Sequence, residues 1–431
     1  MTTTPARETL PVSDDEQHSA THPWWASHGY GRLLGGQAVS AVGSQITFIA
    51  LPLIAVAGMG AGPGAMGLLG AVDNLPYLLI GLWVGVFVDR HARRRLMIAS
   101  DLLRAAAVVS VPVAALAGRL TFAQLCVVAF VVGIGNIVFD VACQAQLPEL
   151  VDVEHLVPAN GALQTSASLS MVAAPGLVGL LIKLIGAPIS MLIDVGSYLV
   201  SAVCIGTIRT PEQHRPAPDT STWEQVREGW RLVAADRRLV GLGGGTAMIS
   251  MAMNAAMAVM IFFLANHLGM DAGMIGFVFL TFGVGGAIGA MGSGALAASI
   301  GTGRTMIAGP LLAAAGLALF AASGTPLTPS GWATTVVFVG AALMGVGMMA
   351  FSSLSAGLRQ LLAPEHARGK VLGTLRFVEL GVMPLGSVIG GVIGQLAGAV
   401  PAAFVGALIL AAASAWVLAT PLRGLRELPT A

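Results

Sequence analysis

Charge is what this chain lacks most. Only 10% of its 431 residues are Asp, Glu, Lys or Arg, while 55% are hydrophobic. A soluble globular chain carries about 25% charged residues, so a water-covered domain of this length is excluded. Cysteine is nearly absent as well. Cys126, Cys143 and Cys204 each sit in an apolar stretch with no CxxC and no neighbouring His, so neither a disulfide framework nor a zinc site is implied and packing is their expected role. There is no Walker-type Gly-Lys-Thr/Ser loop, which speaks against ATP-driven pumping. No His/Glu metal spacing appears. An enzyme is therefore not expected, nor a cofactor. The formal net charge of +1 gives no electrostatic footprint for nucleic acid. Few aromatics fall in the apolar stretches and no multi-Asn/Gln cluster accompanies them, which speaks against a sugar permease. The first thirty residues hold Glu8, Asp14, Asp15 and Glu16 and no apolar core, so they are not a signal peptide. They read as a disordered cytosolic tail ending in Trp24, Trp25 and Tyr30 at the bilayer interface.

What the chain has is greasy length. Mean hydropathy is +0.82, and the 56 glycines suit membrane helices that pack closely. A span needs about 20 apolar residues. Twelve stretches qualify: 33–57, 66–88, 96–117, 121–143, 160–184, 187–208, 239–265, 274–299, 304–323, 331–354, 371–397 and 400–420. The expected fold is an all-α integral membrane protein, twelve transmembrane helices in two pseudo-symmetric six-helix bundles. The expected division is a tail over 1–30, a first bundle over 31–208, a cytosolic linker over 209–238, a second bundle over 239–420 and a tail over 421–431. The linker carries Trp223-Glu-Gln-Val-Arg-Glu-Gly-Trp-Arg-Leu-Val-Ala, whose apolar spacing predicts an amphipathic helix on the membrane surface.

Basic residues fix the orientation. If the N-terminus is inside, every one of the 22 Lys and Arg falls on the inner side except Arg119 and Lys183, outside, and Arg104, within span 3. That asymmetry places both termini in the cytosol, and the chain in the cytoplasmic (inner) membrane as a multi-pass protein. The halves also echo each other. Pro148-Glu149 after span 4 matches Pro364-Glu365 after span 10, and Pro175-Gly176-x-x-Gly179 in span 5 is mirrored by Pro384-x-Gly386 in span 11. Six plus six spans joined by one long loop is a parallel-repeat transporter plan.

The densest charge cluster is Gly85-Val-Phe-Val-Asp89-Arg90-His91-Ala92-Arg93-Arg94-Arg95, in the loop between spans 2 and 3. Gly85, with Gly81 a turn earlier, permits close helix approach, and Asp89 is placed to satisfy free N–H groups at a helix N-terminus. Arg94 and Arg95 read as topology, seated on anionic lipid. Here the chain resembles the major facilitator superfamily, whose loop signature is roughly Gly-x-Leu-Ala-Asp-Arg-x-Gly-Arg-Lys. It supplies Gly85, Asp89, Arg90, Arg93 and Arg94, and departs at Phe87 and Ala92. Leu75-Pro76, Asp101-x-x-Arg104, Leu147-Pro148-Glu149-Leu150-Val151, Asn160-Gly161 and Arg359-Gln360 ahead of Pro364 look like the drug-exporter branch that includes enterobactin and macrolide exporters. The resemblance covers about 31–420. It implies that Asp89 latches the cytoplasmic side shut across the two halves, and that Arg93 binds a nearby carboxylate, with Asp140 placed to serve. It also implies that the Pro175, Gly176 and Gly179 bend in span 5 limits leakage, by likeness to an antiporter Gly-Pro-x-x-Gly-Gly stretch that is matched in part.

Acids inside a bilayer cost about 2.5–3.5 kcal/mol each by insertion scales, so each needs a reason. Asp101 pairs with Arg104 one turn on, and Glu379 with Arg376. Asp73 lies about 24 Å along a helix from Asp89, with no basic residue near in sequence, which makes it the first proton-coupling candidate, ahead of Glu379 and Asp194, and equally a candidate to bind a cationic substrate. Cavity candidates are Gln45 on span 1, Gln164 and Ser168 on span 5, and Met251, Asn254 and Met257 on span 7. The expected function is a proton-coupled exporter of small amphiphilic compounds of drug, antibiotic or siderophore type, working by alternating access. A nutrient importer or uncoupled facilitator, and a non-transporting scaffold or sensor, are the alternatives. The expected partners are a small-molecule substrate, protons and the lipid bilayer, and the expected state is a monomer.

Overall fold

The computed structural model describes residues 29–81, 83–208, 222–329 and 331–425. Trp24, Trp25, the Pro-rich linker 209–221 and the chain from 426 onward lie outside the described residues. The chain runs through α1 (Tyr30–Leu53), α2 (Pro63–Ile80), α3 (Val84–Asp89), α4 (Arg93–Leu116), α5 (Phe122–Leu150), α6 (Leu156–Ile185) and α7 (Ala187–Gly206). After the linker come α8 (Thr222–Ala235), α9 (Arg237–Phe262), α10 (Ala272–Ile300), α11 (Thr302–Ala322), α12 (Ala333–Leu362), α13 (Arg368–Gly381), α14 (Met383–Ala397) and α15 (Ala399–Leu418). Among the described residues, 11 helical stretches are long and apolar enough to cross a membrane. The twelfth expected span, 66–88, is divided at 81–83 into α2 and α3, and its longer piece carries the polar pair Asp73 and Asn74. Span 11 is likewise divided at Val382, where Pro384 opens α14. Proline has no N–H to give and its ring crowds the carbonyl four residues back.

The helices outrun the apolar stretches. α5 continues past 143 to Leu150, and α12 past 354 to Leu362. A hydropathy window ends where the oil ends, whereas a helix can project beyond it, and these ends carry Glu149 and Arg359. The internal echo is structural too. α1 and α9 both close in a π turn, Ile54–Gly58 and Phe263–His267. Short 3-10 turns precede α6 and α13, at Val153–His155 and Glu365–Ala367. Gly186 and Gly398 each join two helices alone, at φ 82 and φ 98, a backbone region that a Cβ makes costly.

α1 packs on α7 and α6, α4 on α5 and α7, and α2 on α5. Later in the chain α12 packs on α10 and α11, and α15 on α9 and α11. Where these helices cross, glycine removes the side chain altogether. A Cβ on Gly316 would stand 2.6 Å from the carbonyl oxygen of Gly340, and one on Gly340 2.7 Å from that of Gly316. Lipid tails are as apolar as leucine, so close backbone approach is what rewards helix association here.

Two surface expectations are corrected. Tyr30 is not an interface anchor; it is buried and its hydroxyl donates to the Ala159 carbonyl at 2.9 Å. The amphipathic helix α8 does form, yet it packs on α13 rather than on the lipid surface alone. Glu228 pairs with Lys370 at 2.5 Å, and Gly229 is pressed so close that a Cβ would fall 2.7 Å from the Lys370 carbonyl oxygen. Sequence showed the apolar stripe but not which surface it would cover. The three cysteines are free thiols.

Candidate functional site

Lys183 and Asp271 mark one face of the molecule; Arg32, Arg94 and the linker helix mark the other, where the described residues begin and end. On the first face α6 meets α10 and α2 meets α14 almost backbone to backbone. A Cβ on Gly67 would lie 2.4 Å from the Cα of Gly391, and one on Gly179 would lie 2.9 Å from the Cα of Gly276. Lys183 Nζ bridges to Asp271 Oδ2 at 2.8 Å. Asp271 also caps α10, accepting from the Met274 N–H at 2.9 Å. The Lys183 contact is the main cause that holds its carboxyl below the usual range. This face is shut. Pro175 leaves α6 unbroken as a helix, and Gly176 and Gly179 sit against Leu280 and Gly276 of α10.

Behind the shut face lies a chamber of about 300 Å³. α1 contributes Ser44, Gln45, Thr47 and Phe48; α2 gives Asp73 and Asn74; α9 gives Asn254 and Met257. Asn136, Tyr198 and Ser387 close the wall. Asn74 donates to the Asn254 side-chain oxygen at 3.3 Å, linking α2 to α9 across the middle. Among the described residues Asp73 makes no side-chain hydrogen bond and no ion pair. It is the one acid on this wall.

A buried polar layer holds the wall from behind. Arg104 pairs with Asp101 and donates to Asn136 at 2.8 Å. Its guanidinium lies 4.7 Å from the Phe139 ring centroid and 4.5 Å from that of Tyr198. Tyr198 meets Ser44 at 3.1 Å. Asp194, fully buried, accepts from Thr47 at 2.5 Å and Ser197 at 3.0 Å. A buried charge needs such partners, and each fixes a chamber residue in one rotamer. Asp194 therefore stands behind the wall, not on it.

Toward the terminal face the chamber continues past Gln45, Phe48 and Asn136 to a stretch bordered by Arg104, Tyr77 and Asp140. It opens into a vestibule of about 400 Å³ between α2, α5, α8 and α13. The loop signature sits at this open edge. A Cβ on Gly85 would meet nothing within 4 Å, so the close approach expected there is absent in this state. Asp89 and Arg90 are exposed. Arg93 donates to Glu149 at 2.6 Å and to the Ala145 carbonyl at 2.9 Å. Its carboxylate is Glu149, not Asp140, because α5 runs two turns further than its apolar stretch. Arg94, expected on lipid, donates to the carbonyls of Ile205 and Gly206 at the end of α7. Cations suit that end of a helix. Glu379 pairs with Arg376 as expected, at 3.2 Å, and also with Arg359 at 3.2 Å.

Of the cavity candidates, Gln45, Asn254 and Met257 line the chamber. Gln164 and Ser168 are exposed beside Ala167 and Met171, the α6 residues that reach the passage. Met251 does not line the chamber, and its backbone carbonyl packs against Gly386. Asn74, Asn136, Thr47 and Tyr198 went unsingled. Polar residues at helical spacing in an apolar run were a signal for Asn74 and Asn136, but nothing local tells which face looks inward.

A many-span helical protein with a central, mainly apolar chamber that carries a few polar groups, shut at one face and open at the other, is the architecture of a transporter. The chain belongs to the transmembrane secretion effector family of the major facilitator superfamily, whose model matches residues 29–430. It is 27% identical over 373 residues to the multidrug efflux pump Tap of Mycolicibacterium fortuitum, covering 83% of this chain and 87% of that protein. It is also 27% identical over 209 residues to macrolide efflux protein A of Streptococcus pyogenes, covering 48% of this chain and 51% of that one. Among solved structures it is similar to a bacterial homologue of the iron transporter ferroportin in an inward-facing state. The TM-score is 0.71 at 17% identity, over 90% of this chain and 98% of that one. Against the outward-facing structure of such a homologue the TM-score is 0.61 at 18% identity, over the same shares of the two chains.

Proposed function

We propose that the protein is a proton-coupled exporter of small amphiphilic compounds. It lies in the cytoplasmic membrane as a monomer with both termini in the cytosol, and catalyses no covalent reaction. The observation that carries this is Asp73, a solitary carboxylate in a chamber open toward the terminal face alone. The efflux names of the relatives support the direction and the substrate class. In this reading the chamber takes substrate from the cytosolic side. The two glycine seams then part, and spans 1–6 rock against spans 7–12 about the midplane. A proton from outside neutralises Asp73 as the substrate leaves. One charge crossing 100 mV supplies about 2.3 kcal/mol, roughly fortyfold accumulation. Gly85, Asp89 and Arg90, idle at the open edge, serve when that edge shuts. Glu379, spanned by two guanidiniums, anchors α13 to α12 instead of carrying the proton.

Asp73→Asn tests it. In everted vesicles the variant should still equilibrate substrate down its gradient but lose substrate-triggered proton release and uphill export. Full proton-driven export by Asp73→Asn would remove the residue from that role. Saturable flux without proton movement in the native protein would make it a facilitator.

A further inference from the structure

The vestibule is more than the mouth of the passage. Three of its side chains are aromatic, and they come from three different elements: Tyr77 from α2, Trp230 from α8 and Phe377 from α13. Its charges do not cancel equally. Lys370 is taken by Glu228 at 2.5 Å and Arg376 by Glu379 at 3.2 Å. Arg104, which borders the passage just above, is taken by Asp101 and Asn136. Asp140 is the exception. Among the described residues it makes no hydrogen bond and no ion pair. Along the whole passage the acids on the wall are Asp140 at the entrance and Asp73 at the end; of the wall cations Arg104 and Lys370 each hold an acid of their own, and Arg376 shares Glu379 with Arg359. Asp140 and Asp73, one at each station, are thus the two wall carboxylates that no cation touches, Arg104 and Arg376 acting on Asp140 only from a distance. Tyr77 and Asp140 border the vestibule and the middle stretch alike, so the two stations share one path.

We propose that Asp140, with Trp230, Phe377 and Tyr77, forms a distinct entry site for aromatic or alkyl monocations, which a substrate occupies before it reaches Asp73. Facing aromatics attract a cation through their ring quadrupoles, and a carboxylate beside them adds a Coulombic attraction that a neutral ligand cannot use. The site is assembled from both halves and the linker helix. α8 supplies Trp230 and is seated on α13 through Gly229 and the Glu228–Lys370 pair. Closing the terminal face would move α13 and α8 toward α2 and α5 and dismantle the site, handing the cation inward. The proposal rests on the exporter reading for its purpose, though not for its test.

The test is binding to the purified full chain in detergent. The probe is bromobenzyl-trimethylammonium, whose bromine quenches tryptophan at contact, beside its uncharged tert-butyl-methyl carbon isostere. The cation should give saturable quenching that disappears in Trp230→Phe. Its affinity should fall at least about tenfold in Asp140→Asn and be kept in Asp140→Glu, while the isostere binds weakly and equally to all. Equal cation affinity in the native chain and Asp140→Asn, quenching that survives Trp230→Phe, or no preference for cation over isostere in the native chain overturns the entry site. That last comparison needs no variant to fold. Charge-dependent quenching in a protein that exports nothing would sink the exporter reading and leave the site standing.

Discussion

Arg104 shows what one residue can hold. It is 4% exposed and its partner Asp101 0%. The guanidinium serves a carboxylate, an amide and two aromatic rings, and through Asn136 and Tyr198 it sets two sides of the chamber. Replacing Arg104 by Met leaves a buried carboxylate without its cation. The expected loss is about 3–5 kcal/mol, and substituting Asp101→Leu as well should restore most of it. Thermal unfolding of the purified variants checks this. A single Arg104→Met variant as stable as the native chain would mean that Asp101 is neutral in the fold. Asp194 is held on the same principle, by hydroxyls in place of a cation, which is why a carboxylate so deep in span 6 is silent toward the cavity wall.

At the scale of elements the seams matter most. α2 against α14 and α6 against α10 close one face through Gly67, Gly391, Gly179 and Gly276, with no side chain between the backbones. Such a seam closes fully only if both partners lack a Cβ. Gly391→Val should therefore favour the conformation in which this face is open. Overpacking of this kind costs about 1–3 kcal/mol, roughly a 5–150-fold change in the ratio of two states. The expected outcome is a folded protein whose chamber residue Ser387, replaced by Cys, reacts with an impermeant maleimide from outside the cell. No gain in labelling would show that the seam tolerates a side chain. Arg94 works at the same scale, tying α4 to the carbonyl end of α7 and fixing the corner from which the signature loop hangs.

For the molecule as a whole, the balance between open and shut faces is set by contacts such as Lys183–Asp271, which joins the two halves outside the apolar layer. The Asp271 carboxyl is lowered, first by Lys183 and then by the Met274 N–H. A lowered carboxyl favours the paired state above the ordinary Asp value of about 3.9 and loses that contribution as pH falls through its lowered value. Acidifying the outer face into that range should release the shut face in the native chain and change little in Asp271→Asn. Outside labelling of the Ser387→Cys variant against pH reads it; identical profiles would show that the pair has no hold on the gate. Orientation is tested at the same scale. With the native cysteines replaced by Ala, Arg119→Cys should react with impermeant maleimide from the outside alone, and reaction from the inside alone would invert the topology.

The many crossings, the helical class and the asymmetry of basic residues were written in the sequence, because the bilayer judges each stretch by its own length and polarity. Asp73 was legible for that reason: an acid without a local partner is visible in one dimension. So was the Asp101–Arg104 pair, one helical turn apart. What tertiary structure decided is everything that joins distant segments. Arg93 met Glu149 only because α5 outran its oil; Glu379 gained Arg359 from another helix; the α8 stripe found α13; and Asn136, not Met251, joined the chamber wall. Periodicity tells that a helix has faces, but helix packing through glycine contacts decides which face meets the cavity, and those contacts exist only between segments far apart in the chain.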